Sequence, residues 1–186
     1  MSNNAIGSFT DNRDGKTYST VQIGNQIWMS ENLDYAGNGG VYFKNASSPP
    51  FAKAGRLYTW QQAMVATPSG WHLPTQEEWE VLTTTVGGCP TAGKHLKATN
   101  GWKPFKEKSG NSIDSNGLDT YGFAALPGGL YKLNNTFSGL GSSGYWWSAT
   151  EIRSTHAQYR YMHYADSVHL ENGDKSRLFS VRCLKD

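Results

Sequence analysis

Apolar and polar residues alternate first in "DGKTYSTVQIGNQIWMSENL", where Tyr18, Val21 and Ile23 punctuate a polar run after the Asp14-Gly15 turn. Gly24-Asn25 then separates them from Ile27-Trp28-Met29, which predicts a β-hairpin. From there to about Ala54 the chain is rich in Gly, Asn, Ser and Pro and is expected as loop. Two helical patterns follow. "GRLYTWQQAMVA" sets Tyr58, Trp60, Ala63 and Met64 against Gln61 and Gln62 and ends before Pro68. In "LPTQEEWEVLTTTVGG", Thr75 caps the helix, Glu78 completes a capping box, and Trp79, Leu82 and Val86 share a face until Gly87-Gly88.

Between Cys89 and Gly144 the pattern is mostly turn signals, interrupted by one short apolar run from Tyr121 to Leu126. Three strands are predicted beyond it: Tyr145 to Thr150, Ala157 to Tyr164, and Phe179 to Leu184. In the last, Phe179, Val181 and Cys183 alternate with Ser180, Arg182 and Leu184, as a strand with one buried face would. Strands at both ends, two helices and a long loop region between them predict an α+β domain whose ends both join antiparallel sheet. The expected organisation is a tail over 1–13 and one domain over 14–186.

Composition narrows the picture. At 186 residues the chain suits a single core, and 17% charged residues with 21 glycines fit a loop-rich fold with few long helices. The formal charge of +2 comes from scattered Lys and Arg, without the basic stripe that nucleic acid requires. No apolar run approaches the roughly 20 residues of a bilayer span. The opening "MSNNAIGSFTDN" lacks the basic-then-apolar order of a signal peptide.

Catalytic and metal chemistry find little support. Cys89 and Cys183 allow one disulfide or two free thiols, and neither lies in a CxxC. His156, His163 and His169 are six or seven apart, which matches neither helical nor alternating strand presentation of metal ligands. Glu77, Glu78 and Glu80 crowd a helix start, where they favour the dipole and solvent over acid/base work. His72 is expected as a buried, hydrogen-bonded scaffold group. No catalytic residue, metal or cofactor is therefore expected.

The ordered segments "DGKTYSTVQIGNQIWMSENL", "GRLYTW", "PSGWHLPTQEEWEVL", "YGFAALPGG", "GYWWSATE" and "FSVRCLKD" resemble the Fibrobacter succinogenes major paralogous domain over nearly the whole chain. "GWHLPTQEEWE" is also similar to a segment of formylglycine-generating enzymes, and this implies a C-type lectin fold, with two helices packed on antiparallel sheets. The copper-binding cysteine pair of those enzymes has no counterpart, since only Cys183 lies near the end. The Glu-Pro-Asn, Gln-Pro-Asp and Trp-Asn-Asp motifs of calcium-dependent lectins are absent too. Family members often carry a cysteine before "PSGWH" partnered with the one in "SVRC". Thr67 stands there, so the resemblance carries over no disulfide and Cys183 is left unpaired or paired with Cys89.

Relatives with this fold serve as variable proteins of diversity-generating retroelements, in which template adenines are mutated and asparagine codons become codons for many residues. The resemblance thus implies a binding region over 152–178 that contacts a protein or glycan, on a bacterial cell surface or a phage particle. Arg153, Ser154, Thr155, His156, Tyr159, Tyr161, His163, Asp166, Ser167, His169, Asn172, Gly173 and Asp174, with Ile152 and Leu178 at the margins, are reachable from such codons. Ala157, Met162, Val168 and Phe179 stand between them as scaffold. Strand alternation places Tyr159, Tyr161 and His163 on one side, and Tyr, His and Arg together make the contact vocabulary of a paratope. Trp146 and Trp147 are expected on opposite faces, one entering the core and Trp146 flooring the ligand surface. The alternative is a fixed-sequence surface or secreted carbohydrate-associated domain, in which the tyrosines are ordinary cross-strand pairs.

Overall fold

The computed structural model describes residues 6–43 and 53–186, so part of the expected loop before Ala54 lies outside the described residues. Ile6–Thr10, inside the segment expected as a tail, forms β1 and pairs antiparallel with β2 (Thr17–Ile23). The turn between them closes on Asp11, whose backbone carbonyl accepts from Gly15 N at 2.8 Å. The predicted hairpin is present: β3 (Gln26–Met29) pairs with β2 around Gly24, whose φ of 60° suits glycine.

Next come β4 (Leu57–Tyr58), α1 (Trp60–Ala66), β5 (Trp71–His72), α2 (Gln76–Thr85) and α3 (Cys89–Leu96). The irregular stretch that follows holds two small hairpins, β6 (Phe105–Lys106) with β7 (Ser112–Ile113), and β8 (Leu130–Tyr131) with β9 (Phe137–Ser138). The chain ends in β10 (Gly144–Arg153), β11 (His156–Met162), β12 (Val168–Asp174), β13 (Phe179–Ser180) and β14 (Leu184–Lys185). One five-stranded sheet runs β1-β2-β3-β14-β5 and the other β12-β11-β10-β13-β4. Among the described residues the arrangement is α+β, with mostly antiparallel sheets and three helices.

Three further departures from the sequence pattern bear on the site. Cys89–Leu96 is a third helix, and its Gly93 is required by close approach: a Cβ there would lie 2.7 Å from the Asp166 carbonyl oxygen and 2.8 Å from that of Ser167. Val168–Asp174 is an added strand. The run from Phe179 to Leu184 is no single strand with one buried face. It leaves one sheet after Ser180, joins the other at Leu184, and buries all six side chains on the way.

Packing divides into two clusters. Trp28, Trp79, Leu82, Leu96, Phe123, Trp146, Met162 and Val168 fill the side under α2 and α3. Tyr18, Met29, Tyr58, Trp147, Ala157, Tyr159, Phe179 and Cys183 fill the other. Both cysteines are free, Cys183 buried and Cys89 exposed, so no bridge joins them. Burial raises the Cys183 thiol to about 12.

The capping box at α2 is made as expected: Glu78 N donates to Thr75 Oγ1 at 3.3 Å and Thr75 N to Glu78 Oε2 at 2.8 Å. His72 extends it. It is half-exposed rather than buried, with Nε2 2.9 Å from Glu78 Oε1 and Nδ1 2.7 Å from Asp186 Oδ1. Desolvation lowers its pKa, but the bonds to Asp186 and Glu78 outweigh it and the net shift is upward. A base whose folded pKa is raised stabilises fully below its unfolded pKa, about 6.5, and loses that contribution as pH rises through the folded value. The melting-temperature gap between the parent and His72→Gln is therefore expected to be widest near pH 6 and to shrink toward pH 9. Solvent screening keeps it below about 1 kcal/mol.

Candidate ligand-binding face

The sheet carrying β10, β11 and β12 has two unlike faces. Helices α2 and α3 cover one, where Trp146, Met162 and Val168 lie. Tyr145, Trp147, Tyr159 and Tyr161 stand on the other, as strand alternation requires.

Both tryptophans are wholly buried. Trp146 donates from Nε1 to Asn32 Oδ1 at 2.9 Å, and Trp147 to the Tyr58 carbonyl at 2.8 Å. Trp146 is therefore no floor of an exposed surface: the sheet is covered on both sides at that point. Tyr159 also belongs to the core at 9% exposure, with its ring 4.7 Å from that of Phe179 and edge-on to Trp147. It lies across Gly173, where a Cβ would come within 2.9 Å of Tyr159 Cε1. Gly173 is thus fixed by packing.

The remaining expected positions fall into two groups. Arg153, Ser154 and Thr155 form the exposed β10–β11 turn, with His156 and Asp174 paired beside it. Thr155 Oγ1 lies 2.9 Å from His156 Nδ1, while Ser176 holds the Asp174 carboxyl below the usual range through side-chain and backbone bonds. Lys175 pins this turn, donating to Glu151 Oε1 at 2.7 Å and to the Ser154 carbonyl at 3.2 Å. Asn172 is exposed on the outer strand.

The second group, Tyr161, His163, Asp166, Ser167 and His169, lies at the opposite end of β11. Five residues at about 3.3 Å each put Tyr161 about 16 Å from His156, so the thirteen candidates do not make one compact site. Here the rings are continuous. Phe179 stacks on Tyr145 at 5.3 Å, Tyr145 on Tyr161 at 5.3 Å, and Tyr161 on His163 at 5.1 Å. His163 meets Tyr164 edge-on at 4.6 Å, and Tyr164 stacks on Phe105 at 3.9 Å. The series runs from the core to an open groove of 640 Å³ lined by Lys103, Phe105, Lys106, Ser142, Ser143, Tyr161, His163 and Tyr164.

Lys97 fixes the turn that ends this group. Its buried ammonium donates to the carbonyls of His163, Tyr164 and Ala165 at 3.1, 3.4 and 3.0 Å. Burial lowers its pKa against the opposing pull of Asp166 and Asp114. Desolvation, His169 and Lys97 together lower that of His163. Nothing in the sequence marks Lys97, because its role depends on a turn 66 residues away. Phe105, Tyr145 and Tyr164 also lie outside the expected set, although "GYWW" and "YRYMHY" hold two of them.

Among the described residues no group of three or more His, Cys, Asp or Glu is placed to hold a metal ion. No helix among them is long and apolar enough to cross a membrane. Compared with known proteins, residues 21–185 match the family model of the Fibrobacter succinogenes major domain. No curated protein and no solved structure matches the chain.

Proposed function

This chain belongs to the Fibrobacter succinogenes major domain family, and on that premise we propose that it is a non-enzymatic ligand-binding module with a C-type lectin fold. Its C-terminal surface contacts a protein or a glycan, and its residues are diversified as those of a retroelement variable protein are. The lectin reading draws on β14, which carries the end of the chain into the N-terminal sheet, and on the long irregular segment between α3 and β10. Such a module belongs on a bacterial cell surface or a phage particle, with no nucleic-acid partner, cofactor or catalytic group in the reading.

The observation that carries the proposal is the ring series from buried Phe179 to exposed Phe105. Rings anchored in a core present large contact area with few rotatable bonds, which keeps the entropic cost of binding low. Diversification has room at both ends of β11: Asp166 is exposed at the end that carries the rings and Arg153, Ser154, Thr155 and Asn172 at the other, whereas Ala157, Met162, Val168 and Phe179 are buried. Trp146, Tyr159 and Gly173 belong with the second set.

The test is to sequence the DNA on both sides of the gene. A reverse transcriptase and a near-copy of the segment encoding Tyr145 to Asp186, differing chiefly where the copy has adenine, are expected. Flanks with neither overturn the diversified reading.

The groove favours a second reading, a fixed carbohydrate-associated domain. Its stacked Phe105 and Tyr164 with Ser142, Ser143 and Lys106 combine an aromatic platform with polar groups. Binding on a glycan array that is lost in Phe105→Ala would select it.

A further inference from the structure

We propose that His163 and His169 form a two-nitrogen site for a divalent late transition-metal ion such as Zn²⁺, at the closed end of the β11–β12 hairpin. Six residues separate them in sequence, but the hairpin folds that interval back. Tyr161 pairs with His169 and Met162 with Val168, so His163, one residue beyond, lies diagonally across from His169. Their Nε2 atoms are 3.1 Å apart. Two nitrogens bound to one ion at 2.0–2.1 Å, at angles between octahedral and tetrahedral, sit about 2.8–3.4 Å apart.

Three features hold the pair in that pose. The Tyr161 ring packs against both imidazoles, at 5.1 Å from His163 and 5.0 Å from His169. Lys97 ties down the backbone of 163–165, with its ammonium enclosed by three carbonyl oxygens. Ser167 Oγ approaches His169 Nε2 to 2.8 Å and supplies an oxygen beside the same atom. Ala165 N–H points at His163 Nδ1 from 3.5 Å, at the limit of a hydrogen bond, so little is lost when Nδ1 takes the proton that ligation through Nε2 requires.

Without an ion, one Nε2 can donate a proton to the other, with Ser167 Oγ the competing partner of His169 Nε2. A metal ion replaces that single shared proton with two coordinate bonds, and imidazole suits zinc, copper and nickel. Two protein nitrogens leave the remaining positions to water or to a donor from a bound partner. The site stands on its own geometry, whether the surrounding face binds protein, glycan or neither.

The test is calorimetric titration of the full chain with Zn²⁺ at pH 7.5 and again at pH 5.5, because ligation by imidazole is pH-dependent. One ion is expected at pH 7.5, with affinity at least tenfold weaker at pH 5.5 and in each of His163→Ala and His169→Asn. His156→Ala, about 16 Å from His169 by strand length and farther from His163, should bind as the parent does. Long-range ¹H–¹⁵N correlation spectra should show Zn²⁺ moving the Nε2 resonances of His163 and His169. Absence of binding, or binding that neither variant weakens and that leaves those resonances in place, overturns the proposal.

Discussion

Replacing Arg182 with alanine is expected to leave the protein largely unfolded at room temperature. The guanidinium is wholly buried and has no carboxylate within bonding distance. Neutral acceptors take its protons instead: Asn32 Oδ1 at 3.1 and 2.8 Å, the Met29 carbonyl at 3.2 Å and the Phe123 carbonyl at 2.5 Å. Truncation takes this donor from the buried Met29 and Phe123 carbonyls, each loss costing about 1–3 kcal/mol, leaves Asn32 Oδ1 with Trp146 alone, and opens a cavity besides. Small domains have only about 5–15 kcal/mol in total. Asn32→Ala should cost a comparable amount, because Asn32 Oδ1 also accepts from Trp146 and its amide donates to the Ala54 carbonyl at 2.8 Å. Since the two residues share one network, the double variant should lose much less than the sum. Urea unfolding reads all three, and an Arg182→Ala midpoint close to the parent's would show that the network holds nothing together.

The tyrosines of β11 should separate just as clearly. Tyr159→Ala removes a core ring packed against Trp147 and Phe179, and a loss of about 3 kcal/mol or more is expected. For a chain of this size that is a fall in melting temperature of roughly 6–12 °C. Tyr161→Ala, half-buried in the ring series, should cost less than about half as much while removing the centre of the proposed contact surface. A scan that weakens both variants equally would place Tyr161 in the core too. Gly173→Ala is coupled to the first: the added methyl meets a Tyr159 ring that cannot retreat, so it should be harmful in the parent and nearly neutral beside Tyr159→Ala.

How much was legible depends on whether the deciding partner is near in sequence. The capping box of α2 needs only residues three apart, and the first hairpin only its glycine turn; both were readable. The strand β12 was not, because "VHLENGD" puts Leu170 outward and a glycine inward, inverting the usual pattern. Helix α3 was hidden by Pro90 and Gly93, whose reasons are a helix start and a turn some 70 residues on. Within the candidate site, alternation correctly gave the side on which Tyr159 and Tyr161 stand. It could not show that Phe179 and Gly173 close over the first and leave the second partly open. The meeting of His163 and His169 was invisible for the same reason, since a hairpin turn and not a strand period brings them together.

The passage of Phe179 to Leu184 from one sheet to the other also bears on how the molecule is made. Arg182 joins Asn32 across 150 residues, and Leu184 lies between strands that begin at Gln26 and Trp71. A growing chain therefore carries two sheets that lack β13 and β14, and with them the attachment of β4 and β5, until these residues have been added. Contacts so distant along the chain make folding slow, on the scale of milliseconds to seconds, and expose unpaired strand edges meanwhile. A nascent chain stalled short of Phe179 should be a substrate for chaperones rather than a smaller version of the fold.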